Sequence, residues 1–425
     1  MKLADFFGGL WRDRSFRTFW SAQTVSEFGD RITELALPLI AVTMLNATPA
    51  EVGLLTAAVW LPNLVSLFIG TWVDQQANKR GLMVAADLAR TIVLLSLPIA
   101  YWLGALSLTH LFAVAILAGT AHVVFNTAYA AFFVRLVKSG DYLEANSKLS
   151  ATRALSFVGG PAFAGLLIQW LTAPFALVAD ALSFVFSAIQ IARLKIAPAP
   201  VVPTEEPLLR RVGSGMAYIF RHPILRTTLA CAATVNFFTF IGTAIVILYA
   251  SRNLGLDAGT IGLAFGIGAS GGLLGAAFAR PLAERVGMGW LIAVATIAFP
   301  GALAIIAFAE GPYWSRVSIL AISEFISAFA VMCFDIPMMS LQVKVTHDNM
   351  RARVSGAGAT INFGVRPLGA VIGGLLATWI GPRETLFIAA AGGALSVLWL
   401  VGSPVLRLKT IDEANPPPEL GNPGA

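Results

Sequence analysis

Twelve stretches of roughly twenty mostly apolar residues recur along this chain, and each is long enough to cross a bilayer as a helix. They lie at 17–44, 52–73, 82–103, 109–134, 147–171 and 174–194, and again at 225–249, 259–281, 288–309, 315–338, 354–379 and 384–404. In lipid a backbone must satisfy its own hydrogen bonds, which leaves helices as the natural form for segments of this length. Composition points the same way, with 57% of the 425 residues hydrophobic and 12% charged, where soluble domains carry about a quarter charged. A soluble core stops growing near ~250–300 residues, so a soluble fold has nowhere to hide this much apolar surface. The expected fold is therefore an all-α membrane protein of twelve transmembrane helices in two pseudo-symmetric six-helix halves. Residues 1–194 would form the first half, 195–224 a cytoplasmic linker ending in a basic amphipathic surface helix, and 225–405 the second half. The Pro-rich, polar tail 406–425 is expected to be disordered.

The net charge of +6 raises nucleic acid as a partner, but the basic residues are scattered rather than gathered on one face, so none is expected. What they follow is loop position. Arg12, Arg14, Arg17, Lys79, Arg80, Arg135, Lys138, Arg210, Arg211, Arg285, Lys344, Arg351, Arg353, Arg407 and Lys409 fall on one side, while the opposite loops hold only Arg252, Arg316 and Arg383. Positive loops face the cytoplasm, which puts both termini and the linker there, in the plasma (bacterial inner) membrane. The start of the chain has no short apolar core followed by a small-residue cleavage site, so the first span is expected to direct insertion itself. Cys231 and Cys333 sit inside apolar runs and read as small buried hydrophobes, with no metal spacing.

Gly266-Ile-Gly268-Ala-Ser-Gly271 spells a dinucleotide fingerprint, but it lies inside a span with no preceding strand. With Gly262, Gly272 and Gly275 it reads instead as a close-packing helix face. There is no Gly-Lys-Ser/Thr phosphate loop, so the expected energy source is an ion gradient, with no cofactor.

The halves echo each other. Val52-Gly53-Leu54 corresponds to Ile261-Gly262-Leu263, and the run around Pro161 corresponds to that around Pro367, at offsets of 209 and 206 residues. Duplicated halves joined by a linker describe an alternating-access transporter, with substrate held between them near the membrane midplane.

Charges inside spans mark function, because each costs at least ~2.5–3.5 kcal/mol at mid-membrane unless paired or wetted. Glu27, Asp30 and Glu34 share one face of span one, with Arg31 within reach of Glu27 and Glu34. One arginine neutralises one acid, which leaves a surplus carboxylate suited to carrying a proton. Asp30 is the candidate coupling acid and Glu34 the next; a static ion-pair cluster is the competing reading. Asp87 and Arg90 are three apart in span three and read first as a structural pair, with a gate as the alternative. Arg366 in span eleven needs a counter-charge, for which Asp30, Glu34, Glu324 or an anionic part of a cargo qualifies. His122, Asn126, Asn236 and Asn362 are candidate cavity groups, although each alone is more often an interhelical hydrogen bond.

The loop after span two reads Gly70-Thr-Trp-Val-Asp74, then Lys79-Arg80, and resembles the signature loop of the major facilitator superfamily. The resemblance implies a latch in which Gly70 admits a close helix, Asp74 bonds across the half-to-half interface and the basic pair holds the loop, stabilising the outward-facing state. Gln75 stands where the family often has a basic residue. Gly160-Pro161 and Gly165 in span five resemble the antiporter motif of exporters, against a plain kinked packing helix. Phe28-Gly29-Asp30, Asp87-Leu-Ala-Arg90, Leu143-Glu-Ala-Asn146, Gly215-Met-Ala-Tyr218 and Arg351-Ala-Arg353 are similar to the branch holding macrolide-efflux and enterobactin-exporter-type proteins, over residues 15–405. That implies an exporter of amphipathic small molecules, of drug, macrolide or siderophore type, by proton antiport, with sodium as the alternative coupling ion; the expected state of the protein is a monomer. A lysophospholipid flippase of the same fold, or a transport-inactive sensor or partner, are the alternatives.

Overall fold

A computed structural model describes residues 9–196 and 208–414, and among these it is built of helices and short connections with no strand. Six long helices come first: α1 (Arg14–Leu39), α2 (Pro49–Asp74), α3 (Lys79–Trp102), α4 (Leu108–Leu136), α5 (Tyr142–Leu171) and α6 (Ala173–Arg193). A shorter α7 (Leu208–Arg221) precedes α8 (Pro223–Leu248), α9 (Ala258–Val286), α10 (Met288–Ala307), α11 (Tyr313–Lys344), α12 (Arg351–Trp379) and α13 (Pro382–Ala394). Leaving α7 aside, these are the twelve spans expected. Ten are apolar enough throughout to cross a membrane. The two outside that set are α1, which carries the charges that matter below, and α13, whose regular helix is short and continues as a 3-10 turn over Leu395–Trp399.

Their starts are written locally. Asp13 accepts from the amides of Ser15 and Phe16 at the head of α1. Thr48 and Glu51 form a reciprocal capping box on α2, and Asn78 and Ser107 cap α3 and α4.

The chain divides into two compact units, residues 1–204 with 250–266, and residues 205–249 with 267–425. In the first, α1 packs on α5 and α6, and α3 packs on α4 and α6. In the second, α8 packs on α12 and α13, and α10 on α11 and α13, which is the same neighbour scheme. The sequence repeat is thus a repeat of packing. The segment 250–266 joins the first unit for a physical reason. The Arg252 guanidinium donates to the Val42 and Ala47 carbonyls at 2.7 and 2.8 Å, and Gly262 meets Gly165 and the Pro161 carbonyl backbone to backbone.

Several expectations need correction. The glycines of α9 form two faces rather than one: Gly262 and Gly266 press on α5, whereas Gly268, Gly271 and Gly275 press on Glu324, Phe325 and Phe329 of α11. Helix α7 forms where the basic amphipathic helix was expected. Beyond any surface role it is docked: Gly215 abuts the Arg353 carbonyl, and Arg353 donates to the Ser214 hydroxyl at 3.1 Å. The start of the tail is ordered, since the carbonyls of Leu408 and Lys409 accept from the amides of Gly289 and Met288, and Asp412 pairs with Lys344 at 3.3 Å. The Pro-rich part of the linker (197–207) and the rest of the tail (415–425) lie outside the described residues.

Helix α12 approaches α8 so closely that Gly373 has the Ile241 carbonyl where a Cβ would stand. Backbone cannot yield as a side-chain tip can. Gly373→Leu is expected to destabilise the second unit by at least the ~1–3 kcal/mol typical of overpacking. Reduced monodisperse yield and an earlier thermal transition in detergent would show it.

Candidate functional site

The charges of α1 do not stand alone. Helix α1 lies between α5 and α6, and α3 lies beside α6, so polar residues from four helices converge on the middle of α1. Glu27 pairs with Arg31 at 4.0 Å and with Arg153 of α5 at 3.3 Å. Arg31 pairs with Glu34 at 2.7 Å, stacks over Phe157 at 5.3 Å and lays its aliphatic stem on Gly160. Asp30 faces the other way and pairs with Arg90 of α3 at 3.4 Å.

Arg90 is the centre of the cluster. It donates to Asp87 at 2.5 Å and to Asp30, and its guanidinium lies 3.9 Å from the Phe184 ring centroid and 5.1 Å from that of Phe125. Asp87 is fully buried and Arg90 is 4% exposed. A stacked guanidinium that bridges two carboxylates suits such a dry position better than an ammonium would. The pair anticipated within α3 is therefore present, and it reaches α1 rather than the span-two loop.

Asp180 of α6 completes the cluster, and the sequence reading passed over it. It is fully buried, accepts from the hydroxyls of Thr33 and Ser183, and lies against Gly29, whose missing side chain makes the room. The signal was available: an acid inside the apolar run of span six obeys the same cost rule as those in span one.

The account of a single arginine facing three acids on α1 also changes. Glu27, Asp30 and Glu34 each have a cationic partner, because Arg90 and Arg153 come from other helices.

The remaining candidates are dispersed. His122 and Asn126 are exposed on α4 and bond to each other at 2.7 Å. Asn236 donates to the Ala232 carbonyl of its own helix at 2.9 Å, and the Asn362 side-chain oxygen is buried without a hydrogen-bond partner among the described residues. Arg366 stacks on Phe363 at 4.9 Å and Phe240 at 5.2 Å. Within its unit the negative charge of Asp335 bears on it. Glu324 is half-buried and has no hydrogen-bond or ion-pair partner among the described residues. A separate cavity of about 410 Å³ between α9, α10 and α11 is lined by apolar side chains, among them Leu282, Trp290, Val294 and Phe329.

In the loop after α2, Lys79 is buried and donates to the Val73 carbonyl, and Arg80 donates to the Leu194 carbonyl at 2.6 Å. The basic pair therefore fastens the loop to α2 and to the end of α6. Gly70 does not mark a close helix approach, since the nearest atom to a Cβ there is a Thr127 methyl at 3.8 Å. Asp74 is exposed. In α5, Pro161 lies within one continuous helix, Gly160 receives Arg31, and Gly165 receives Gly262.

Residues 9–421 match the model of a family described as transmembrane secretion effector. The chain is 27% identical over 402 residues to the multidrug efflux pump Tap of Mycolicibacterium fortuitum, covering 92% of this chain and 95% of that protein. It is 25% identical over 381 residues to the uncharacterized MFS-type transporter YfiS of Bacillus subtilis, covering 87% and 88%. Among solved structures, the nucleoside transporter NupG superposes with a TM-score of 0.71 at 14% identity, covering 91% of this chain and 98% of that one. A bacterial homologue of the iron transporter ferroportin in its inward-facing state gives 0.71 at 16% identity, covering 93% and 99%. At such identities the likeness is one of fold.

Proposed function

Because the chain belongs to the transmembrane secretion effector family of major facilitator transporters, we propose that it exports positively charged amphipathic small molecules by proton antiport and alternating access. The observation that carries this reading is the charge balance on the inner turns of the helices. In the first unit, Glu27, Asp30, Glu34, Asp87 and Asp180 face Arg31, Arg90 and Arg153, an excess of two acids. In the second, Asp335 and Glu324 stand against the single arginine Arg366, with Glu324 in no ion pair among the described residues, an excess of one. Each uncompensated charge costs ~2.5–3.5 kcal/mol or more at this depth, so the surplus calls for a cation to be taken up: a proton, or the cationic part of a cargo. Aromatic and apolar walls with a few charges suit an amphipath. Similarity to a multidrug efflux pump supports outward transport, and the basic loops support cytoplasmic termini in a bacterial inner membrane. Asp30 is the coupling acid in this scheme, since it is the partly exposed partner of Arg90.

Cargo charge gives the test. Vesicles holding the protein are expected to concentrate macrolides and lipophilic cations and to ignore anionic catecholates. Uptake of catecholates in preference to cations would overturn the charge argument, and preferential movement of lysolipids would favour a flippase.

A further inference from the structure

Three buried or half-buried carboxyls, Asp30, Asp87 and Asp180, surround one guanidinium. Arg90 gives its hydrogen bonds to Asp87 and Asp30, and Asp180 forms no ion pair among the described residues. Among the described residues its oxygens accept hydrogen bonds only from the hydroxyls of Thr33 and Ser183, the latter at 3.1 Å. With all three acids ionised, the cluster would carry two uncompensated negative charges where Asp87 and Asp180 have no solvent contact. An isolated buried carboxylate is strongly disfavoured, and taking up a proton removes the charge. Hydroxyls both donate and accept, so Thr33 and Ser183 can serve Asp180 in either state. The charges acting on Asp180 from neighbouring helices are Asp30 and Arg90, while His122 on α4 lies within reach of the same charges. Glu27, Arg31, Glu34 and Arg153 are occupied with one another.

We propose that Asp180 is the resting place of the transported proton: a carboxylic acid while Asp30 is paired with Arg90, exchanging its proton through Asp30. Asp30 suits the role of gate because its side chain is 28% exposed, whereas that of Asp180 is sealed. When a cationic group arrives beside Asp30, its charge compensates an ionised Asp180. The O–H bond on Asp180 then breaks as one forms on Asp30, and Asp30 passes that proton to water. Reloading reverses the order: Asp30 takes a proton from water, hands it to the Asp180 carboxylate and closes again on Arg90. This assignment rests on the antiport reading above.

Infrared difference spectroscopy on the full chain in lipid vesicles separates the two. The protonated-carboxyl stretching band at neutral pH is expected to lose intensity in Asp180→Asn, to keep it in Asp30→Asn, and to shift in frequency in Thr33→Val, where one hydrogen bond to the acid is lost. The Thr33→Val shift assigns the band even if Asp180→Asn does not fold. In parallel, proton release on adding a macrolide or a lipophilic cation should fall to the level of empty vesicles in Asp180→Asn. A band unchanged in both Asp180→Asn and Thr33→Val, or wild-type proton release from Asp180→Asn, overturns the assignment. A band that follows Asp180 together with no cargo-linked proton release from the wild type means that the antiport reading has failed. The proton on Asp180 would then be real but without a transport role.

Discussion

Arg90→Ala is expected to leave little folded protein. The guanidinium is the partner of Asp87, which has no solvent contact, and of Asp30, and it fills the space between Phe125 and Phe184. Removing one member of a buried pair strands the other, at ~3–5 kcal/mol. Native proteins keep only ~5–15 kcal/mol in hand, so this one change consumes a large share of it. Lost stacking adds to the deficit. Arg90→Lys keeps the charge but gives up the planar fork, and should fall between alanine and wild type. The sharper control is the double variant Arg90→Leu with Asp87→Leu. Replacing a buried pair by apolar groups is close to neutral, and the one acid left without its cation, Asp30, is partly exposed, so folding should return in large part while transport does not. Size-exclusion profiles and thermal transitions in detergent distinguish the three. A fully stable Arg90→Ala protein would mean that the cluster is wet.

Asp30→Asn has the largest expected effect on transport. Asparagine keeps the shape and much of the hydrogen bonding but neither ionises nor carries a proton. Energised export should drop by ~100-fold or more, in line with the loss of a positioned proton-transfer group. Downhill exchange of cargo, which needs no proton movement, should survive. Glu34→Gln is the contrast: its carboxylate is 60% exposed and, among the described residues, bonded only to Arg31, so the same change should be mild. Initial rates of labelled cargo uptake, with and without a pH gradient, measure both.

Much of the fold was legible in the sequence because its cause is local and repeated. Apolar runs of the right length fix the spans, and the 52–54 and 261–263 match announces two units with one packing scheme. The Asp87–Arg90 pair was legible for a similar reason, since three residues apart on a helix is a contact. Other features depend on which helices become neighbours. Span one alone shows three acids and one arginine; that Asp30 belongs to Arg90, and Glu27 also to Arg153, follows from packing between helices. Arg366 stacks on Phe240 and Phe363 for the same reason. Gly70 shows the opposite error, where a motif suggested a close contact that the structure makes at Gly165 and Gly373 instead. Asp180 was visible as an acid in an apolar run but had no partner spaced along its own helix to draw attention to it, other than Ser183.

The measurement that bears most directly on proton-coupled export is cargo-induced proton release from energised inside-out vesicles, followed with a pH-quenched dye. Wild-type vesicles should release protons when a macrolide or lipophilic cation is added, and Asp30→Asn vesicles should not. Cargo movement without proton release in the wild type would contradict the account, pointing to sodium coupling or facilitated flipping and returning Asp30 to a structural ion pair.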